Sequence, residues 1–86
     1  MVPFIDTQSR KLSFWFAKIQ GCHEYECQLM QLVEVEPDSR LFKPDLRSVW
    51  AEPCSAVFHC DASFDEERRA YELRSTDAEI FALLDF

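Results

Sequence analysis

The sequence predicts an α+β fold, in which a small antiparallel sheet of four to five strands carries a C-terminal helix packed on one face. Two stretches near the N terminus alternate with the two-residue period of strands, with a glycine between them, which predicts an N-terminal hairpin. The last segment places a helix-capping pattern ahead of apolar residues. With 86 residues, 48% of them hydrophobic, we expect a single domain over 1–86.

The predicted hairpin joins a strand over 12–19 to a strand over 25–35. Gly21 and Cys22 fit a two-residue turn, and 21–24 fit a four-residue loop. Because both faces of this hairpin are apolar at its centre, we expect both to be covered. Either turn places one apolar set on the first face, Leu12, Phe14, Phe16, Cys27, Leu29 and Val33, and a second set on the other, Trp15, Ala17, Ile19, Met30 and Leu32.

The remaining elements are less regular. Three prolines interrupt 37–54, where a short helix capped by Asp45 and a short strand over 49–51 are alternatives. Alternation predicts a third strand over 55–61 and a fourth over 69–74, and a helix over 64–74 is the alternative to that fourth strand. Thr76 and Glu79 form a capping box for a short C-terminal helix, which we expect to dock on the hairpin face that carries Trp15.

The charge of the chain narrows the classes of partner. Sixteen acidic side chains against nine basic ones give a net charge of −7, and all of the excess lies in 34–86. A protein that binds nucleic acid needs clustered lysines and arginines, so direct nucleic-acid binding is disfavoured.

The apolar runs are far shorter than the roughly 20 residues of a membrane span, and no secretory signal pattern is present. We therefore expect a cytoplasmic protein that does not bind membranes.

The cysteines and histidines are the residues that metal or redox chemistry would use. In the cytoplasm the four cysteines are expected to be reduced. Their Cys-x4-Cys and Cys-x5-Cys spacings differ from the Cys-x2-Cys turns of zinc sites, so we expect no metal and no cofactor. Cys27 and Cys60 then belong to the core, and Cys22 and His23 to a loop. A metal- or redox-responsive module is the alternative, with its ligands drawn from Cys22, His23, Cys27, Cys54, His59 and Cys60.

An enzyme with a cysteine nucleophile is the third hypothesis. His59 cannot activate Cys60 within a regular strand, because adjacent side chains point to opposite faces. One glycine in the whole chain also excludes a glycine-rich phosphate loop and a glycine-bearing nucleophile elbow. We therefore expect a protein that is not an enzyme.

A surface for contact with another protein is the function that the sequence favours. Aromatic residues and methionine are enriched at the centre of protein interfaces. A helix with four large apolar residues is too short to cover the whole Trp15 face, which would leave an apolar patch open. The sequence thus predicts a small acidic binding or regulatory protein, whose partner is a protein with a basic surface or a second copy in a homodimer. The candidate contact residues are Trp15, Met30 and Leu32, with Asp65, Glu66 and Glu67 as an acidic rim.

Overall fold

A six-stranded antiparallel sheet with one C-terminal helix makes up the fold in a computed structural model that describes residues 1–6 and 13–84. The strands lie in the order β1-β2-β3-β4-β6-β5. An antiparallel sheet carrying a C-terminal helix is confirmed, but the described residues form six strands where we expected four or five. The elements are β1 (Val2–Asp6), β2 (Ser13–His23), β3 (Glu26–Glu34), β4 (Leu41–Pro53), a 3-10 turn (Cys54–Ala56), β5 (Ala62–Asp65), β6 (Ala70–Leu73) and α1 (Asp77–Leu83).

The turn of the β2–β3 hairpin lies at Glu24 and Tyr25, between the paired residues His23 and Glu26. The prediction of a turn that starts at Gly21 was wrong. Glu24 takes the left-handed conformation of a tight turn, with φ at 55°. Gly21 instead lies inside β2. Between Ile19 and Gly21 the register with β3 shifts by one residue, because β2 contains one extra residue there, which forms a β-bulge.

This bulge changes which side chains share a face. Phe16 pairs with Leu32 and Ile19 pairs with Leu29, so the expected grouping of Phe14 and Phe16 with Leu29 was wrong. Leu12, the first residue of that predicted set, lies outside the described residues. We call the two sides the helix face, with Phe14, Phe16, Leu32, Phe42 and Leu73, and the aromatic face, with Phe4, Trp15, Ala17, Leu29 and Trp50.

The C-terminal helix covers the helix face. α1 begins at the predicted capping box, in which the Thr76 hydroxyl accepts the N–H of Glu79 at 3.2 Å. Ile80 is fully buried against Phe16, and the ring of Phe81 lies 4.7 Å from that of Phe14. The expected docking on the Trp15 face was wrong, because the bulge puts the largest continuous set of buried side chains on the opposite side.

The aromatic face has its own small core. Val2, Ala17, Cys27 and Leu29 are buried there, with Trp50 and other half-buried side chains packed against them. Strand β1, which the sequence pattern did not predict, supplies Val2 and Phe4 to this face. The expected cover over both faces of the hairpin is found on the helix face, whereas β1 lies beside β2 in the same sheet and leaves Trp15 and Trp50 half-buried on the aromatic face.

Strand β4 settles the alternative over 45–51 in favour of a strand. It contains Pro44, which is tolerated because β4 pairs with β6 only through Leu41 and Phe42 among the described residues, leaving an open edge beyond them. Between the pairs Leu32–Pro44 and Met30–Val49 the strand protrudes. The Asp45 carboxylate closes this protrusion by accepting from the Arg47 N–H at 3.0 Å and the Ser48 hydroxyl at 3.0 Å. These bonds lower the pKa of Asp45.

The third predicted strand, over 55–61, was wrong. Residues 55 and 56 belong to the 3-10 turn, residues 57–61 are irregular backbone, and β5 begins at Ala62. The fourth predicted strand is confirmed by β6, against the helical alternative over 64–74. The irregular segment reaches β1, where the Cys60 N–H donates to the Met1 carbonyl at 2.8 Å, and the sheet curves into a half-barrel. Within the described residues, no helix is long and apolar enough to cross a membrane.

Candidate metal centre

Three cysteine sulfur atoms converge at one end of the sheet. Cys22 near the end of β2 is paired directly with Cys27 near the start of β3, and their Sγ atoms are 3.0 Å apart. Cys54 follows the last residue of β4, and its Sγ lies 3.3 Å from that of Cys27. All three Sγ atoms lie within 4.8 Å of one another. We refer to Cys22, Cys27 and Cys54 as the thiol cluster.

Two local features of the backbone build this cluster. The two-residue turn at Glu24 and Tyr25 sets the register that places Cys22 opposite Cys27. Pro53, paired with Glu26, ends β4, and the Cys54 N–H then donates to the Tyr25 carbonyl at 2.7 Å. The turn of one hairpin therefore holds the end of the next strand, which brings residues 27 positions apart into contact.

The spacing of the sulfur atoms suits a thiophilic metal ion. Thiolates bound to one tetrahedral zinc ion at about 2.3 Å are about 3.8 Å from each other. Two of the three Sγ pairs are 3.0 and 3.3 Å apart and all three atoms lie within 4.8 Å of one another, so small side-chain rotations bring them to that geometry. Among the described residues, no fourth histidine, cysteine or carboxylate joins the three within the same radius. The arrangement offers three protein ligands and leaves one coordination position open.

The protonation of the thiols is also linked to metal binding at this point. The adjacent thiols of Cys22 and Cys54, together with burial, raise the pKa of Cys27 to about 12. Three neighbouring thiolates repel one another, and a bound cation removes this repulsion and deprotonates the coordinating thiols. Cys27 is buried while Cys22 and Cys54 are exposed residues, so the cluster lies at the protein surface.

The other candidate ligands lie apart from the thiol cluster. His23 is exposed and follows Cys22 on β2, where alternation points its side chain to the opposite face. His59 is exposed in the irregular segment. Cys60 is buried on the helix face, its Sγ donates to the Met1 carbonyl at 3.3 Å, and burial raises the pKa of its thiol. The expected burial of Cys27 and Cys60 is confirmed, whereas the expected loop position of Cys22 and His23 was wrong, because the hairpin turn starts only after His23.

Cysteine spacing alone did not reveal this convergence. The tight turns of zinc sites hold Cys-x2-Cys pairs, whereas here Cys22 and Cys27 meet across a ladder. In a hairpin with a two-residue turn, the residues two positions before and two positions after the turn are direct strand partners. A turn at Glu24 and Tyr25 therefore implies that Cys22 faces Cys27. No comparable sequence signal places Cys54.

The candidate contact residues are not brought together. Trp15 is half-buried on the aromatic face, where its ring stacks on Phe4 at 4.2 Å and lies 5.4 Å from that of Trp50. Met30 and Leu32 are both buried and share the opposite side of β3. The predicted patch therefore reduces to Trp15 with two aromatic neighbours that the sequence pattern did not indicate.

The acidic candidates form the turn between β5 and β6. Asp65 accepts from the N–H groups of Glu67 and Arg68 at 3.0 and 3.2 Å, and its carboxylate lies 3.8 Å from the Arg68 Nε. Glu66 and Glu67 are exposed. In this turn Asp65 has a structural role that needs no ligand.

Comparisons of the chain with protein-family models, with curated proteins and with solved structures found no match.

Proposed function

We propose that this protein is a small non-enzymatic module that binds a thiophilic metal ion, Zn²⁺ or Cu⁺, through Cys22, Cys27 and Cys54. The observation that carries the proposal is the convergence of three Sγ atoms within 4.8 Å. Thiolates select zinc and monovalent copper over the hard cations Mg²⁺ and Ca²⁺. This hypothesis was the alternative in the sequence analysis, and the distances between the thiols now favour it over contact with another protein.

Metal binding would act on the fold at a defined place. The three ligands come from β2, β3 and the residue after β4, so one ion ties together three chain segments at the hairpin end. A ligand that binds the native state alone stabilises it by roughly 2.7 kcal/mol at a hundred times its dissociation constant. Metal occupancy would thus stiffen this end of the sheet, which is the basis of a metal-responsive module.

Measured metal content tests the proposal. The protein is purified without chelator under reducing conditions, and metals are quantified by mass spectrometry. Separate samples of the reduced, metal-free chain are titrated with Zn²⁺, with Cu⁺ and with Mg²⁺. We expect about one thiophilic ion per chain and no Mg²⁺ binding at matched concentration. The Zn²⁺ and Cu⁺ arms identify which of the two ions the site prefers.

Single-cysteine variants provide the matched controls. Cys22→Ser and Cys54→Ser change exposed ligands and should each weaken binding at least tenfold. Cys60→Ser and His23→Gln change residues outside the thiol cluster and should bind as the parent chain does. The same affinity in Cys22→Ser, Cys54→Ser and the parent would overturn the proposal, as would a reduced chain that binds neither ion.

Contact with another protein is a second candidate, and a specific observation supports it. Phe4, Trp15 and Trp50 form one group of rings on the face that α1 does not cover, and the Trp50 Nε1 donates to the Glu52 carboxylate at 3.1 Å. A carboxylate beside an aromatic group, on a chain of net charge −7, fits a protein partner with a basic surface.

Sedimentation and binding to an immobilised basic protein, at low and high salt, test this second candidate. If the partner has a basic surface, binding should weaken as the salt concentration rises and should be lost in Trp15→Ala. Leu46→Ala, which changes an exposed residue outside the group of rings, is the control and should bind as the parent chain does. Self-association that strengthens with salt would instead indicate a homodimer. Unchanged capture by Trp15→Ala would contradict this role of the aromatic face.

A further inference from the structure

Cys22 and Cys27 have the geometry that a disulfide requires of its two residues. They are direct partners in the β2–β3 ladder, and their Sγ atoms are 3.0 Å apart. Antiparallel partners hold their Cα atoms about 4.5 to 5.5 Å apart, which lies within the roughly 4.4 to 6.8 Å that a disulfide spans. The two sulfur atoms can therefore bond through a change of side-chain torsions, with the strands left in place.

The third thiol is less suited to the same bond. Cys54 lies 3.3 Å from Cys27 through sulfur, but it follows the end of β4 and has no strand partner of its own at that position. Cys22 is both closer to Cys27 and fixed to it by the ladder. If Cys27 is oxidised with Cys22, Cys54 is left as a free and exposed thiol.

We propose that Cys22 and Cys27 are a reversible oxidation site at which small disulfides, of which oxidised glutathione is the probe, generate an intrachain disulfide. Exposure sets the order of the steps, because Cys22 is open to solvent and Cys27 is buried. The Cys22 thiolate attacks one sulfur of oxidised glutathione, the glutathione disulfide breaks, and one glutathione leaves as a thiolate. Cys27 then loses its proton to solvent as its sulfur attacks the Cys22 sulfur of the mixed disulfide, and the second glutathione leaves as a thiolate that takes up a proton.

The two steps balance in electrons and protons. The cysteines lose two electrons and two protons in forming one S–S bond, and the glutathione disulfide gains them to become two thiols. Reduced glutathione in excess reverses both steps, so the ratio of oxidised to reduced glutathione sets the state of the pair.

Oxidation would also control the metal site, and this part of the inference rests on the proposed function. The disulfide removes two of the three thiolate ligands, and one remaining thiolate does not hold the ion. A bound ion would in turn shield both thiols from the small disulfide. Metal occupancy and oxidation are then mutually exclusive states of the same hairpin end.

The experiment separates the disulfide from the metal. Reduced, metal-free protein is equilibrated in glutathione buffers of increasing oxidised fraction, free thiols are then blocked by alkylation, and the products are analysed by intact mass and peptide mapping. We expect two of the four cysteines to escape alkylation, linked as Cys22–Cys27. Added reductant should restore all four thiols.

Variants make the result specific to this pair. Cys22→Ser changes an exposed residue and should abolish the intrachain bond, whereas Cys54→Ser and Cys60→Ser should retain it. Circular dichroism of each variant checks that it is folded. A bond mapped to Cys27 and Cys54, a product that stops at the mixed disulfide, or four free thiols in every buffer would each overturn the inference.

A second arm repeats the oxidation with the chain loaded with Zn²⁺. We expect oxidation to slow at least tenfold and the oxidised chain to lose zinc binding. Because the first arm contains no metal, a chain that binds no zinc yet forms the Cys22–Cys27 bond would refute the proposed function and leave the oxidation site standing. A zinc-binding chain that never forms the bond would refute the oxidation site and leave the proposed function standing.

Discussion

Cys60 and Met1 connect the two ends of the half-barrel. The Cys60 N–H donates to the Met1 carbonyl at 2.8 Å, and the Cys60 Sγ donates to the same oxygen at 3.3 Å. Met1 precedes the edge strand β1, and Cys60 lies two residues before β5, the strand at the other edge. The buried Cys60 side chain therefore links the segment before β5 to the segment before β1. Cys60 is not a member of the thiol cluster.

Burial of Cys60 predicts a pH dependence of stability. Burial raises the pKa of this thiol above its unfolded value, so the unfolded chain loses its proton first. The stability contributed by the thiol is complete below the ordinary thiol pKa and is lost as the pH rises through the raised value. Urea unfolding of the parent and Cys60→Ala across alkaline pH should show a shallower decline in the variant. Parallel declines would contradict this assignment.

The fully buried position of Ile80 predicts a large effect of charge on α1. Ile80→Asp places an unpaired carboxylate in the core of the helix face and should cost about 3–5 kcal/mol. Leu83, which is 37% exposed on the same helix, provides the matched control, because Leu83→Asp should cost less than about 1 kcal/mol. Thermal unfolding measures both. Equal losses in the two variants would show that α1 does not dock through Ile80.

The parts of the fold that the sequence predicted depend on local signals. The capping box at Thr76 and Glu79 acts within one helical turn, and the alternation in β2 and β3 is a property of each strand alone. Residues that are close in sequence set both features, so no knowledge of the tertiary structure was needed.

The parts that the sequence did not predict depend on register and on distant packing. One bulged residue beside Gly21 places Phe16 and Leu29 on opposite faces of the sheet, although they were expected on the same face. No pattern of hydrophobicity marks a single extra residue. Cys54 joins the thiol cluster because β4 runs past Pro44, where the sequence suggested a strand would end, and continues to Pro53. Convergence of the three thiols is thus a tertiary property, and spacing rules for short zinc motifs do not detect it.

The contrast between two cysteines of the thiol cluster predicts different effects on the metal-free fold. Cys27 is 3% exposed and packs with Leu29, so Cys27→Ser buries a hydroxyl and should lower the melting temperature by roughly 5 °C. Cys22→Ser, at an exposed position, should melt within about 2 °C of the parent. Calorimetry with chelator and reductant present makes the comparison. A Cys22→Ser variant that melts lower than Cys27→Ser would contradict this difference in burial.

The hairpin turn gives a prediction that distinguishes the observed register from one with Gly21 in the turn. Gly21 does not have a positive φ, and a Cβ added there meets nothing within 4 Å. Gly21→Ala should therefore fold normally and gain about 0.4–1 kcal/mol, because alanine reduces the freedom of the unfolded chain.

Glu24 is the reciprocal case, since its φ of 55° lies in the left-handed region that costs most residues roughly 1–2 kcal/mol. Glu24→Gly removes this cost in the folded state but adds freedom to the unfolded chain, so the net gain should be about 0.5–1 kcal/mol. Both variants should keep the Cys22–Cys27 pairing and hence the metal affinity, which chemical unfolding and metal titration check together. A turn at Gly21 would make Gly21→Ala destabilising and Glu24→Gly unfavourable, and those opposite signs would refute the register on which the thiol cluster depends.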